Sequence, residues 1–300
     1  MMTLFNRYSP PQQINPLLPT LQEIQDDLAQ EKQMGLKPDN QKEVYYHGAE
    51  GEKSKYSIVF LHGFSASPKE LAPYPKNLAK ELGANGYSTR FKGHGTMLSS
   101  ALADATLADW QKDALIALSW GLELGEKVIL AANSTGCTFA LWLAVNFPDK
   151  IHDLILTSPN MGPKSSLPDL LLYPGGKLLT KMLTQIERKC TQFHPKQMLY
   201  WHTKYPSQAL TTMMHAVEMA RHLPLARIKI PALVLYSKQD KTVNLDAVKE
   251  MFHLLGSKQK KMVHIQAATG HLLGGVVSAQ SDPDLMEIAF NFIRSNFDQA

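Results

Sequence analysis

Val128-Ile-Leu-Ala-Ala-Asn-Ser-Thr-Gly136 is an apolar run that stops at a serine and passes at once into a second apolar stretch, residues 134–146. A short apolar run bounded by a turn reads as a buried strand, and the longer stretch behind it as a helix. The turn between them is abrupt. Ala132, two residues before the serine, and Gly136, two after it, are small enough to let strand and helix approach closely. That geometry lifts the Ser134 hydroxyl above the C-terminal edge of a sheet and aims a helix N-terminus at developing negative charge. The usual pattern has glycine at both small positions, and alanine takes the first here. A serine at this point can also serve simply as a helix N-cap, so its meaning depends on partners elsewhere in the chain.

Working outward, strand signals fall at residues 42–46, 56–61, 87–91, 127–132, 153–157, 232–236 and 262–266. Helical patterns lie between them. Ser67-Pro68 with Glu70 predicts a capped helix start, as does Thr106 with Asp109 ahead of Trp110, Ala114 and Leu118. A last helix from Asp282-Pro283 carries Leu285, Ile288, Ala289, Phe292 and Ile293 on one face. Short strands alternating with longer helices predict an α/β fold, with a mostly parallel central sheet flanked by helices. Residues 1–41, with an amphipathic stretch at 21–34, read as an N-terminal arm. Residues 42–158 and 228–300 read as the core. The alternation breaks over 159–227, which reads as an inserted helical cap. It holds Gly175, Gly176, a helical pattern at 207–221 and six of the thirteen methionines: 161, 182, 198, 213, 214 and 219.

A serine hydroxyl is a poor nucleophile without a base, and the base needs an acid to orient it. With the serine on a strand-to-helix turn, the partners follow in the order acid, then histidine. Asp240 ends Leu233-Val-Leu-Tyr-Ser-Lys-Gln-Asp, just past a buried strand, and His271 follows Met262-Val-His-Ile-Gln-Ala-Ala-Thr-Gly, just past another. Both then project at the sheet edge that carries Ser134. Asp246 falls inside the next helix and His264 within its strand, so both read as structural. Acyl transfer also needs N–H donors for the oxyanion. Thr135, after the serine, supplies one; Phe64, in Leu61-His-Gly-Phe-Ser-Ala-Ser-Pro68, supplies the other. His62 and His94 read as loop-shaping residues.

His62-Gly-Phe, Gly93-His-Gly95, Asn-Ser134-Thr-Gly, Asp240 followed by Val243, and Gly270-His271 together resemble the α/β-hydrolase superfamily, in particular its carboxylesterase, monoacylglycerol lipase and lysophospholipase-like members. The likeness runs through residues 42–158 and 228–297. It implies a Ser-His-Asp triad, backbone oxyanion donors, no cofactor, and a cap that shapes the pocket.

The chain has 300 residues, 44% hydrophobic and 19% charged, with a net charge of +4, which suits a globular domain. Its basic residues are scattered, and Lys258, Lys260 and Lys261 fall in a short polar connection, so no nucleic-acid partner is expected. Cys137 and Cys190 make neither a disulfide framework nor a metal cage, and no HExxH spacing occurs. No metal or cofactor is expected. Residues 1–19 lack the apolar run of a signal peptide and no stretch approaches eighteen apolar residues, so a cytoplasmic protein without stable membrane insertion is expected. The expected activity is hydrolysis of small carboxylic esters with apolar acyl chains, monoacylglycerols among them, since methionines adapt to irregular apolar pockets, although the same methionines equally suit cap–core packing. An amidase, peptidase, thioesterase or carbon–carbon hydrolase shares the same triad. A non-catalytic relative that binds a ligand under its cap is the alternative outside enzymes.

Overall fold

The buried runs of the sequence form the middle of one seven-stranded sheet. A computed structural model describes residues 15–31, 33–165, 167–172, 187–189 and 195–297. The sheet strands are β1 (Glu43–Tyr45), β2 (Ser54–Leu61), β3 (Asn85–Ser88), β4 (Gly125–Asn133), β5 (Ile151–Thr157), β8 (Ala232–Tyr236) and β9 (Lys260–His264), while β6 (Glu187–Lys189) and β7 (Lys204–Pro206) make a separate antiparallel pair. The order is β1-β3-β2-β4-β5-β8-β9, with β1 antiparallel and the rest parallel. Side chains alternate across each strand. Val59, Leu61, Leu130 and Leu156 therefore join one core, while Ile58, Phe60, Ile129 and Ile155 join the other. Helices α4 (Leu107–Leu124) and α5 (Gly136–Asn146) cover the first face; α2 (Tyr74–Glu81) and α9 (Asp282–Asn296) cover the second.

The expected capping box at Thr106 forms. Its hydroxyl accepts from the Asp109 N–H and the Asp109 carboxylate accepts from the Thr106 N–H. The box expected at Ser67 does not. Residues 68–73 run as turns and α2 starts only at Tyr74, because the Glu70 carboxyl is drawn away to the Gly63 N–H at 2.6 Å. The third strand lies at 85–88, ahead of its expected 87–91, and Thr89 to Phe91 lead into the Gly93–Gly95 turn.

Between β5 and β8 run the short α6 (Gln197–Tyr200) and α7 (Ala209–Arg221); α7 packs on α5 and meets α3 (Ala101–Asp104), which precedes α4. Met161, Met213, Met214 and Met219 are buried in the same core cluster as Phe139 and Trp142. These methionines fill packing space between α7 and α5; among the described methionines of residues 159–227 only Met198 stands exposed. Gly175, Gly176, Met182 and Cys190 lie outside the described residues. Among the described residues no helix is long and apolar enough to cross a membrane.

The N-terminal helix α1 (Leu21–Glu31) buries Ile24 against the body. Glu31 accepts from Arg90 Nε at 2.7 Å and from the Lys42 N–H at 2.9 Å, and Lys42 also pairs with Asp27. The side chains of Glu31, Arg90 and Lys42 are each only 3% exposed. Removing one member of such a network strands a charge in the interior, which costs far more than the intact pair contributes. Arg90→Met should therefore lower the unfolding free energy by about 3 kcal/mol, read from the denaturant midpoint. A loss under about 1 kcal/mol, the worth of an exposed pair, would show the network to be screened.

Candidate active site

Ser134 directly follows β4 with φ +51°, a left-handed conformation that costs a non-glycine residue about 1–3 kcal/mol and persists only where surroundings enforce it. They do. Its N–H donates to Thr157 O at the end of β5 (2.9 Å), and its carbonyl accepts from Cys137 N and Asn160 N. The turn therefore occupies residues 134–135 and α5 begins at Gly136, two residues later than the apolar pattern alone indicates.

His271 lies in the loop after β9. Its Nε2 stands 2.9 Å from Ser134 Oγ and its Nδ1 2.7 Å from Asp240 Oδ2. An ionised carboxylate only accepts, so the proton sits on Nδ1 and the Nε2 lone pair faces the serine hydroxyl. Asp240 is 2% exposed, and its other oxygen accepts from the Thr242 and Val243 N–H groups at 2.7 and 3.2 Å. Burial pushes its pKa up, but the His271 ring and those two N–H groups outweigh it and hold the carboxyl below its ordinary value. Ser158 Oγ donates to His271 O (2.7 Å) and Ser237 Oγ to Ala268 O (2.8 Å), tying the histidine loop to the ends of β5 and β8. The structure thus brings together three residues far apart in sequence. Asp246, on α8 (Leu245–Leu254), pairs outward with Lys249, and His264 packs on Tyr236. Neither belongs to the cluster.

The loop after β2 forms the opposite wall. His62 Nε2 accepts from Phe91 N at 3.1 Å, so its Nδ1 carries the hydrogen and donates to Gly63 O at 2.8 Å. Burial pushes His62 down to about 3, so the ring is neutral. His94, whose Nδ1 reaches the Phe91 and Lys92 carbonyls, is likewise driven far down by burial. Both histidines shape loops. Thr135 Oγ1 accepts from Asn160 Nδ2 at 3.1 Å. Among the described residues neither the Phe64 nor the Thr135 N–H bonds a backbone carbonyl in a loop or turn.

Several neighbours escape sequence reading. His202 N donates to Ser65 O (2.7 Å), the Tyr205 ring meets Phe64 edge-on at 5.2 Å, and Lys37 Nζ donates to Trp201 O (2.7 Å). These contacts join Lys37, residues 201–205 and the Phe64–Ser65 loop across long stretches of chain, and no spacing announces them. Glu70 is buried behind Gly63; its only sequence signal, the capping-box pattern, pointed elsewhere.

A mostly parallel sheet with helices on both faces, and a serine, a histidine and an aspartate meeting at its C-terminal edge, define an α/β hydrolase. Residues 52–274 match the hydrolase family described as serine aminopeptidase, S33, and the chain belongs to that family. No curated protein sequence matches the chain. Among solved structures it is similar to one of the metagenome-derived lipolytic enzymes LipS and LipT, at 20% identity, TM-score 0.70, over 87% of this chain and 99% of that one. It is also similar to the monoacylglycerol lipase of Paleococcus ferrophilus (18% identity, TM-score 0.61, 85% and 98%). Est1E from Butyrivibrio proteoclasticus, solved with ferulic acid, matches at 17% identity, TM-score 0.58, over 86% and 95%. These likenesses establish the fold.

Proposed function

We propose that this chain is a serine hydrolase that cleaves carboxylic esters through an acyl-enzyme, with Ser134 as nucleophile, His271 as general base and Asp240 as the orienting acid. The observation that carries the reading is the continuous hydrogen-bonded path from Ser134 Oγ through His271 to Asp240, at 2.9 and 2.7 Å. In this reading His271 Nε2 takes the hydroxyl proton as Ser134 Oγ attacks the ester carbonyl. The tetrahedral oxyanion is met by the N–H groups of Phe64 and Thr135. The imidazolium, stabilised by Asp240, returns the proton to the departing alcohol. Water, deprotonated by the same nitrogen, then releases the acid and frees Ser134.

Residues 159–227 serve as the cap in this reading, supported by the contacts of His202 and Tyr205 with the Ser65 and Phe64 loop. The aromatic faces of Phe64 and Tyr205 beside that loop favour an ester with an apolar acyl group, a monoacylglycerol being one such substrate. Cleavage of peptides at a free amino terminus is the competing use of the triad. Of the two buried carboxyls near Ser134, Asp240 is committed to His271 and Glu70 to the Gly63 N–H, so neither is offered to a substrate ammonium. That favours esters.

A fluorophosphonate probe should label the protein on the peptide that contains Ser134. A panel of p-nitrophenyl esters, thioesters and anilides should then give its highest kcat/KM with an ester. Folded protein that takes up no probe would reveal a ligand binder instead, and anilides turned over faster than esters would favour the amidase reading.

A further inference from the structure

Glu70 is a titratable side chain that the steps above leave unused, although it is 2% exposed and stands beside the site. Its Oε2 accepts from the Gly63 N–H at 2.6 Å. A Cβ added to Gly63 would lie 2.8 Å from Glu70 Oε1 and 3.0 Å from Ser134 Cβ, so little more than a missing methyl group separates this carboxyl from the serine. The Gly63 carbonyl is held from the other direction by His62 Nδ1–H. The N–H and C=O of a trans peptide point opposite ways, so the peptide whose carbonyl faces His62 turns the Phe64 N–H away from that ring. The two peptide groups flanking Gly63 are thus clamped, one by Glu70 and one by His62. The segment after His271 leans on the same residue: a Cβ at Gly275 would stand 2.7 Å from the Glu70 carbonyl oxygen.

We propose that Glu70 is a positioning residue of the Ser134 site, its buried carboxyl clamping the His62–Gly63 peptide and so, together with His62 on the next peptide, fixing the angle at which the Phe64 N–H meets the oxyanion. The inference rests on the reading of Ser134 as the nucleophile. A carboxyl is a costly group to bury, and an amide or hydroxyl accepts the same N–H without that cost. The groups facing Glu70 are the Gly63 N–H, the Asn133 amide at the end of β4, the Cys137 thiol on α5 and the His271 ring. Burial pushes Glu70 up to about 7, against the pull of the Gly63 N–H, the Asn133 amide and the charge of His271. The Glu70 carboxyl therefore changes charge near neutral pH, and a glutamine at this position cannot.

The test compares wild type, Glu70→Ala and Glu70→Gln with p-nitrophenyl butyrate across pH 5–9, beside fluorophosphonate labelling. Gln keeps an oxygen that accepts from the Gly63 N–H, so it separates the clamp from the charge. Glu70→Ala should lower kcat by about 100-fold, the order found on losing one oxyanion donor, with KM changed by less than about threefold. Glu70→Gln should bring kcat back to within about fivefold of wild type and flatten whatever dependence of kcat on pH Glu70 contributes near neutrality. The Gly63 amide proton resonance should titrate near neutral pH in wild type and stay flat in Glu70→Gln. If Glu70→Ala does not fold, the Glu70→Gln profile and the Gly63 resonance decide. The proposal is overturned by a folded Glu70→Ala at wild-type kcat, by a Glu70→Gln pH profile that superposes on wild type, or by a Gly63 amide blind to pH. Wild type that resists the probe would instead sink the Ser134 reading, while the Gly63 resonance would still report on the clamp.

Discussion

Ser134→Ala should lower kcat for a p-nitrophenyl ester by roughly 10⁶-fold, His271→Ala should fall almost as far, and the double variant should fall no further. In the proposed mechanism the hydroxyl and imidazole act as one unit. At 2.9 Å from Ser134 Oγ, His271 Nε2 has no other proton to take in the attack step. Without the hydroxyl the base is idle, and without the base the hydroxyl keeps its proton. Asp240→Asn is expected to cost less, about 10⁴-fold. An asparagine amide facing Nδ1 favours the tautomer whose hydrogen lies on Nε2, which points a donor at Ser134 where a lone pair is needed. What remains in every variant comes from substrate binding and the oxyanion donors, so KM should stay close to wild type. Ser134→Ala retaining more than about 1% of kcat, or single losses that multiply in the double variant, would sink the assignment of these two residues to one step.

How much of this was legible in the sequence differs by kind of interaction. The sheet was readable at Ile58 to Leu61 and Val128 to Ala132 because buried parallel strands are apolar on both faces, and these fill both cores. The meeting of Ser134, Asp240 and His271 was readable for a related reason: each sits just past a strand, and parallel strands deliver their C-terminal ends to one edge. The capping box at Thr106 forms through Asp109 Oδ2, while the exposed Lys92 takes the other carboxylate oxygen and so does not compete for it. At Ser67 the identical local pattern failed. Glu70 finds a buried N–H seven residues upstream, and a buried donor left unpaired is costlier than an uncapped helix end. The methionines left two readings open. Their adaptability suits a ligand pocket and a packing seam equally, and only α7 lying against α5 reveals which is served by Met213, Met214 and Met219. His202 and Lys37 act through backbone atoms of distant segments, a use that leaves no imprint on residue choice.

Gly136→Ala is expected to cost about 4 kcal/mol or more, placing it among the exceptional point substitutions. A Cβ at this position would stand 2.1 Å from Leu61 O and 2.7 Å from His62 O. Both are backbone atoms, and neither can rotate aside as a side chain would. Leu61 is paired with Ala132 in the sheet, and His62 is held by Phe91 N and Gly63 O. The strain must therefore move α5 away from β2, and with it Ser134 and Thr135 at the helix start. Stability and chemistry are predicted to fall together. Gly270→Ala is the matched control, since it flanks His271 but its added Cβ meets nothing within 4 Å, so its stability should change by no more than about 0.5 kcal/mol. Denaturant midpoints of the two variants, read beside kcat on one ester, separate the cases. Equal midpoints would mean that the strand-to-helix turn tolerates a side chain at residue 136, and the close approach of α5 to the end of β2 would lose its standing as what sets Ser134 in place.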